Sequence, residues 1–319
     1  MATLITGGTG LIGAEVARLL LEKGEQSPVL FDFDPSLNRI DDIADRVDVV
    51  RGDVGNFSHV LDAVKQARPS VIYHLGAMLS VPSDADPASS FHINAQGTFN
   101  VLEAARLFDV PQVIFTGSIG TYGLDIQGEN IDDYTLQRPT LFYGATKVFG
   151  ENMGYYYRLK HGLDFRGVRF PSIVGPGVRS PGVAQYIPWV IEECGKGNPY
   201  TIYVKPETRV PAMYIRDAAR ALVNLSDAPR ESIETVMYLL AGISPTPSAA
   251  ELADAVRARI PDAQINFKPD MQIQRALDSL LPLDDSKARR EWGWEPRYDL
   301  EQTVEDFLRE LRQSPKRYE

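Results

Sequence analysis

"TGGTGLIG", residues 6–13, directly follows the short apolar run "ATLI" and opens a stretch of helical patterning. Gly7, Gly10 and Gly13 give the spacing G-x-x-G-x-x-G. Glycine at these positions permits a tight turn and a close backbone approach to a pyrophosphate, and the helix that follows presents free N–H groups and the positive end of its dipole. Such a trio is weak alone because loops are rich in glycine, so its context decides. Working outward, short apolar runs alternate with helical patterns: "PVLFDF", "VDVVRGD", a helix through "HVLDAVKQA", "SVIYHLG", a helix through "INAQGTFNVLEAARLF", "QVIFTGS", a long helix over 142–161 and "DFRGVRF". That alternation predicts parallel strands joined by right-handed crossovers, an α/β doubly wound parallel sheet covered on both faces.

The second strand ends at Asp32, nineteen residues after Gly13. A carboxylate there accepts hydrogen bonds from the adenosine ribose hydroxyls and repels a 2′-phosphate, which points to NAD over NADP. Asp34 shares the same strand face and is the competing assignment. Ligands of such sheets lie beyond the carboxyl ends of the strands. Leu11 and Ile12 of the loop, Asp53 and Val54 in "RGDV", and Leu75, Gly76 and Ala77 in "HLGA" are therefore expected to line the same cofactor site. From Ser172 onward the pattern loosens into "PSIVGPGVRSPG" and shorter elements, including strands near "TIYV", "VMYLLAG" and "QINFKP". This predicts a dinucleotide-binding domain over 1–171 and a smaller mixed substrate lobe over 172–319, with segments near 209–226 and 301–312 returning to the first domain.

Tyr143 and Lys147, in "LFYGATKVFGE", are four residues apart on the long helix and so share one face. The chain holds 14 tyrosines, and Tyr156 with Lys160 repeats the spacing further along the same helix. Ser118, at the end of "QVIFTGS", separates the pairs: it should share the cleft with Tyr143, whereas Tyr156 has no matching serine. A tyrosine has a pKa near 10, and a neighbouring ammonium and a positive nicotinamide ring both favour the phenolate. Tyr143 is then the expected general base for an alcohol, Ser118 holds the reacting oxygen, and Lys147 also binds the nicotinamide ribose.

With "TGGTGLIG", "FTGSIGTYG", "YGATK" and the tail "DDSKARREWGWEP", the sequence resembles the short-chain dehydrogenase/reductase family over nearly its whole length, in the extended branch of Rossmann-fold epimerases and dehydratases. The resemblance implies Ser118, Tyr143 and Lys147 as catalytic residues, Pro171 beside the nicotinamide, and a homodimer. Members acting on sugar nucleotides carry Asn where "RFPSIVGP" has Ser172, and an Arg seven residues before a helical Asp where Arg209 precedes Asp217 by eight. Instead "RFPSIV", "TRVPAMYIRDA", "HLGAMLS" and "LDSLLPLDDSKARREWGW" look like the epimerase-like L-threonine 3-dehydrogenases. That likeness implies metal-free, NAD-dependent oxidation of a secondary alcohol in a small polar molecule, with L-threonine going to 2-amino-3-oxobutyrate. The alternative is a nucleotide-sugar 4-epimerase or dehydratase in which NAD is reduced only transiently. Where the threonine enzymes carry "TTDY", this chain reads "VAQY" over 183–186, so Ala184 and Gln185 replace a hydroxyl and a carboxylate. Ser80, Arg179 and Gln185 are the expected substrate-side residues, together with Ser118 and Tyr143.

Formal charge is −10, which leaves no general basic field for nucleic acid or an anionic membrane. The single cysteine, Cys194, can form neither an internal disulfide nor a thiolate zinc site. His59, His74, His92 and His161 lack metal-ligand spacing and read as structural. No run of about 18 apolar residues suggests a span. The chain opens on a strand without the features of an export signal, and a reducing cytoplasm is the expected location.

Overall fold

The computed structural model describes residues 2–318. Its main sheet begins with β1 (Thr3–Thr6), α1 (Leu11–Glu22), β2 (Val29–Asp32), β3 (Asp48–Arg51), α2 (Phe57–Ala67) and β4 (Val71–His74). Two short helices, α3 (Ser80–Ala85) and α4 (Pro87–Ser90), lead through a π-wound turn over 91–96 into α5 (Gly97–Leu107). Then come β5 (Gln112–Ser118), α6 (Phe142–His161) and β6 (Asp164–Phe170). Beyond Pro171 the chain forms β7 (Ser172–Val174), α7 (Tyr186–Gly195), β8 (Tyr200–Ile202), β9 (Ala212–Tyr214), α8 (Ile215–Asp227) and β10 (Met237–Leu239). The remainder is α9 (Ala249–Arg259), β11 (Ile265–Phe267), α10 (Met271–Leu277), α11 (Ser286–Trp292) and α12 (Leu300–Gln313).

Seven strands pair in the order β10-β6-β5-β4-β1-β2-β3, and every pairing is parallel. The doubly wound sheet expected from the alternation is what forms, and all its strands but the edge strand β3 bury both faces. Successive strand residues point to opposite sides, so Ile5, Leu30, Tyr73, Ile114 and Val168 meet α1 and α8 in one core. Their neighbours Leu4, Phe31, Ile72, Val113 and Phe165 meet α2, α5 and α6 in another. This two-sided burial is why the strands read as continuous apolar runs instead of alternating ones.

Two segments depart from the simple division at 171. The "VMYLLAG" strand, expected in the second lobe, is β10, and it extends the main sheet beside β6. Helix α8 covers the main sheet with Ala218, Ala219 and Leu222, and the buried Arg166 of β6 donates to Leu225 O at 2.7 Å and Ala228 O at 2.6 Å at its C-terminal end. The 301–312 helix, by contrast, is α12, which packs Val304, Phe307 and Leu308 with Val190 and Ile191 of α7 and Val256 of α9 in a separate core. Two small parallel pairs, β7 with β9 and β8 with β11, complete that lobe. Among the described residues no helix is long and apolar enough to cross a membrane.

Candidate active site

The strand order reverses between β1 and β4, and a cavity of about 950 Å³ opens beyond their carboxyl ends, where ligands of doubly wound sheets bind. Gly7 turns the chain out of β1 at φ 66°, and a Cβ on it would come within 2.9 Å of the Gly76 backbone. A Cβ on Gly13 would sit 2.2 Å from Gly7 O. Thr6 Oγ1 accepts from the N–H groups of Leu75 (3.2 Å) and Gly76 (3.1 Å) and bonds His74 Nδ1 at 2.8 Å. His74 also bonds Thr98 Oγ1 at 3.0 Å, and burial, aided by the Lys147 charge, holds its pKa down to about 3. The first turn of α1 has neither a capping side chain nor an acidic residue, so its N–H groups face the cavity ready for an anion.

Asp32 closes this end. One oxygen of its carboxylate accepts from Thr9 N at 3.1 Å and Thr9 Oγ1 at 2.8 Å, which orients the group along the cavity wall beside Asp34. Asp53 accepts from Gly55 N at 2.8 Å and faces His92 Nε2 at 3.4 Å. Asp53, Val54, Leu75, Gly76 and Ala77 line the cavity together with Gly10, Leu11 and Ile12.

At the other end stand Ser118, Tyr143, Lys147 and Pro171, lining the same cavity. Ser118 ends β5 and accepts from Gly120 N at 3.0 Å. Helix α6 has no side-chain cap from Leu141; Asp84 of α3 supplies one by accepting from Phe142 N at 2.8 Å, next to Tyr143. Lys147 is 5% exposed, donates to Thr116 O at 2.8 Å, and places its ammonium 5.7 Å from the Tyr143 ring centre. Burial lowers its pKa to about 8, with Glu151 acting the other way. Burial also pushes the Tyr143 phenol up to about 12, and the hydrogen bond with Ser118 opposes this. Lys147 alone therefore does not bring the phenol below its usual value. Beneath the pair, the buried Arg169 binds Glu151 at 2.7 Å and donates to Tyr122 Oη and to Asp133 O. The second tyrosine of the helix is elsewhere: Tyr156 is 48% exposed and packs edge-on against Tyr157 and His161.

Ser80, Arg179 and Gln185 also line the cavity. Gln185 is held by donating to Ser180 O at 2.7 Å, and Ala184 is buried. Arg179 is not a free loop cation: it pairs with the buried Glu192 at 2.7 Å and donates to Tyr318 O. Among the described residues no cluster of three His, Cys, Asp or Glu side chains could hold a metal ion.

The pattern of the NAD dependent epimerase/dehydratase family matches residues 3–241. The chain belongs to that family. It is similar to the mitochondrial L-threonine 3-dehydrogenase of Bos taurus, 31% identical over 96% of this chain and 81% of that one. Among solved structures, the L-threonine dehydrogenase of Clostridium difficile superposes with a TM-score of 0.88 at 30% identity, covering 98% of each chain. The holo form of the GalE-like L-threonine dehydrogenase from Cupriavidus necator gives 0.87 at 29% identity, over 98% of this chain and 100% of that one. UDP-glucose 4-epimerase from Thermotoga maritima shares the fold at 21% identity.

As a member of the epimerase/dehydratase family, of the extended short-chain dehydrogenase/reductase type, the chain is an NAD-dependent oxidoreductase with NAD as cofactor. The cavity suits that molecule: uncapped N–H groups and side-chain-free backbone at one end, an oriented carboxylate beside them, and a buried lysine at the other end. The family motifs do not mark every residue that builds it. Thr9 orients Asp32, Thr116 holds Lys147 and Arg39 reaches Gly177 O at 3.1 Å. Thr9 could have been suspected from its place within the glycine loop. Thr116 acts through its carbonyl and Arg39 sits in an unpatterned loop, so neither leaves a side-chain signal.

Proposed function

We propose that the protein oxidises the secondary alcohol of a small polar 3-hydroxy acid, of the type that L-threonine represents, with Tyr143 as general base. The observation that carries this reading is the meeting of Ser118, Tyr143 and Lys147 on one wall of a cavity whose other end is the glycine loop. NAD, when bound, supplies the acceptor for the hydride and a positive ring that favours the Tyr143 phenolate. Ser118 holds the substrate oxygen, and Tyr143 takes its proton as the C–H bond breaks. Lys147, fixed on Thr116 O, is assigned to the nicotinamide ribose and to steadying the phenolate.

In the same reading Gly7, Gly10, Leu11, Ile12 and Gly13 hold the pyrophosphate, and Asp32 the adenosine ribose. Asp53, Val54, Leu75, Gly76 and Ala77 line the adenosine half, while Pro171 flanks the nicotinamide. The second lobe, residues 172–319 without the segments α8 and β10 that join the main sheet, supplies the substrate side, with Ser80 joining from the first domain. Two chains are assigned to a dimer, supported by the exposure of Phe149, Tyr155 and Tyr156 along α6. A cytoplasmic location is supported by the single, unpaired Cys194.

Tyr143→Phe tests the assignment. Loss of a general base should reduce kcat by about 10²–10⁴ with NAD affinity little changed, measured by NADH formation and by cofactor titration. Retained turnover would remove Tyr143 from the chemistry. Conversion of UDP-glucose to its epimer without release of NADH would move the protein to the isomerases of its family.

A further inference from the structure

The distribution of charge in the cavity narrows the substrate class within the dehydrogenase reading, on which this inference rests. The carboxylates lining the cavity are Asp32, Asp34 and Asp53, which follow β2 and β3. Ser118 ends β5, and the strand order places β5 three strands from β2 and four from β3. At the spacing of parallel strands that is a separation of roughly 14–19 Å. An ammonium on the carbon next to the reacting alcohol is two bonds away from the reacting carbon and cannot reach them.

Three further carboxylates stand on elements that border the cavity, and none of them is part of its lining. Glu151 is 4% exposed and bound to Arg169. Glu192 accepts from Arg179 at 2.7 Å, Lys196 at 2.6 Å and Gly177 N at 2.9 Å. Asp84 caps α6 through Phe142 N. Among the described residues, then, no carboxylate is placed to pair with a substrate ammonium, while Lys147 puts a cation beside the reacting carbon. The loop after β7 offers the opposite charge. Arg179 lines the cavity and also donates to Tyr318 O, and the one carboxylate it rests on is shared with Lys196, so a single anion balances two cations. Its neighbour Gln185 is neutral.

From this arrangement we infer that the substrate is a 3-hydroxy carboxylate without an amino group, its carboxylate received by Arg179. The alcohol becomes a ketone: the C–H hydride passes to NAD, the hydroxyl proton to the Tyr143 phenolate, and the product is a 3-oxo carboxylate. L-Threonine and 3-hydroxybutyrate share a carbon skeleton and differ only in the ammonium, so together they isolate the point.

The experiment is NADH formation by the purified protein with excess NAD and either L-threonine or each enantiomer of 3-hydroxybutyrate, with NAD binding measured separately. One enantiomer should exceed threonine in kcat/KM by roughly ten- to hundredfold, the worth of the missing charge-assisted hydrogen bond. Gln185→Asp should shift the ratio toward threonine by roughly tenfold, and Arg179→Ala should raise the KM for 3-hydroxybutyrate by a similar factor with kcat kept. Threonine used as well as or better than 3-hydroxybutyrate by the unaltered protein would overturn this inference and leave the dehydrogenase reading standing. An unchanged KM in Arg179→Ala would overturn the role of Arg179. No NADH from any of the three, with NAD still bound, would overturn the dehydrogenase reading itself and this inference with it.

Discussion

Asp32 and His74 show how far a single side chain can be followed from sequence to consequence. Asp32 is fixed by two hydrogen bonds from Thr9, so Asp32→Ala removes an acceptor already oriented toward the cavity. NAD binding should weaken by about 1.5–3 kcal/mol, and the preference over NADP should narrow; an unchanged NAD/NADP ratio in a titration would shift the role to Asp34. His74 makes a different prediction. It is buried and neutral, with a pKa held to about 3, while in the unfolded chain it takes a proton near 6.5. Below that value the unfolded state binds the extra proton, so the contribution of His74 is present above pH 6.5 and is lost as the pH falls toward 3, at no more than about 1.4 kcal/mol per pH unit. Urea midpoints at pH 7.5 and 5.5 should therefore differ less in His74→Gln than in the parent. The place of Asp32 at the cavity was legible because it ends β2, and the cavity of such a sheet lies beyond the carboxyl ends of its strands. The setting of His74 was not, since its two threonine partners come from β1 and α5, 68 and 24 residues away.

At the scale of elements, α6 does two jobs with its two faces. Tyr143 and Lys147 meet the cavity, while Gly150 and Gly154 meet the chain's own sheet: a Cβ on Gly150 would lie 2.7 Å from the Phe115 ring, and one on Gly154 2.1 Å from that of Phe165. The close contact these glycines permit is thus with β5 and β6 of the same chain. Gly154→Ala should accordingly destabilise by about 1–3 kcal/mol through overpacking, outweighing the better helix propensity of alanine, as a lowered thermal midpoint would show. Strands β1, β2 and β4 and the middle of β5 were readable because burial on both faces turns them into apolar runs, whereas β3 is an exposed edge strand and β6 carries buried charges, so those two were placed by the alternation with helices. β10 was misplaced because three residues carry no periodicity, and the segments flanking it in sequence belong to the second lobe. The same reason hides the partner of a helix such as α12: an apolar stripe declares that a face is covered but not by what.

Across the whole molecule, the outer surface of α6 carries Phe149, Tyr155 and Tyr156 at 40%, 50% and 48% exposure, a cluster of aromatics on one helix. If two chains meet there, the protein should sediment at twice its 35.4 kDa chain mass, and Phe149→Glu with Tyr156→Glu should return it to the single-chain value. A dimer that survives both changes would have its interface elsewhere. The path of the backbone carries one more consequence. After leaving the main sheet at Pro171 the chain returns to it as α8 and β10, departs at α9, and comes back once more at α11, where Ala288 and Trp294 join the core beside Tyr238 of β10. A piece ending at residue 171 would lack the helix that covers Val168 and Ile114 and the strand that shields the edge of β6, so it should not fold by itself. Nor could a new specificity be grafted onto this protein through a single joint. Exchanging the second lobe with that of a relative would need separate splices on either side of α8 and β10 and again around α11, which, with the proposed substrate contacts, makes point changes in the loop around Arg179 and Gln185 the easier route to a different substrate.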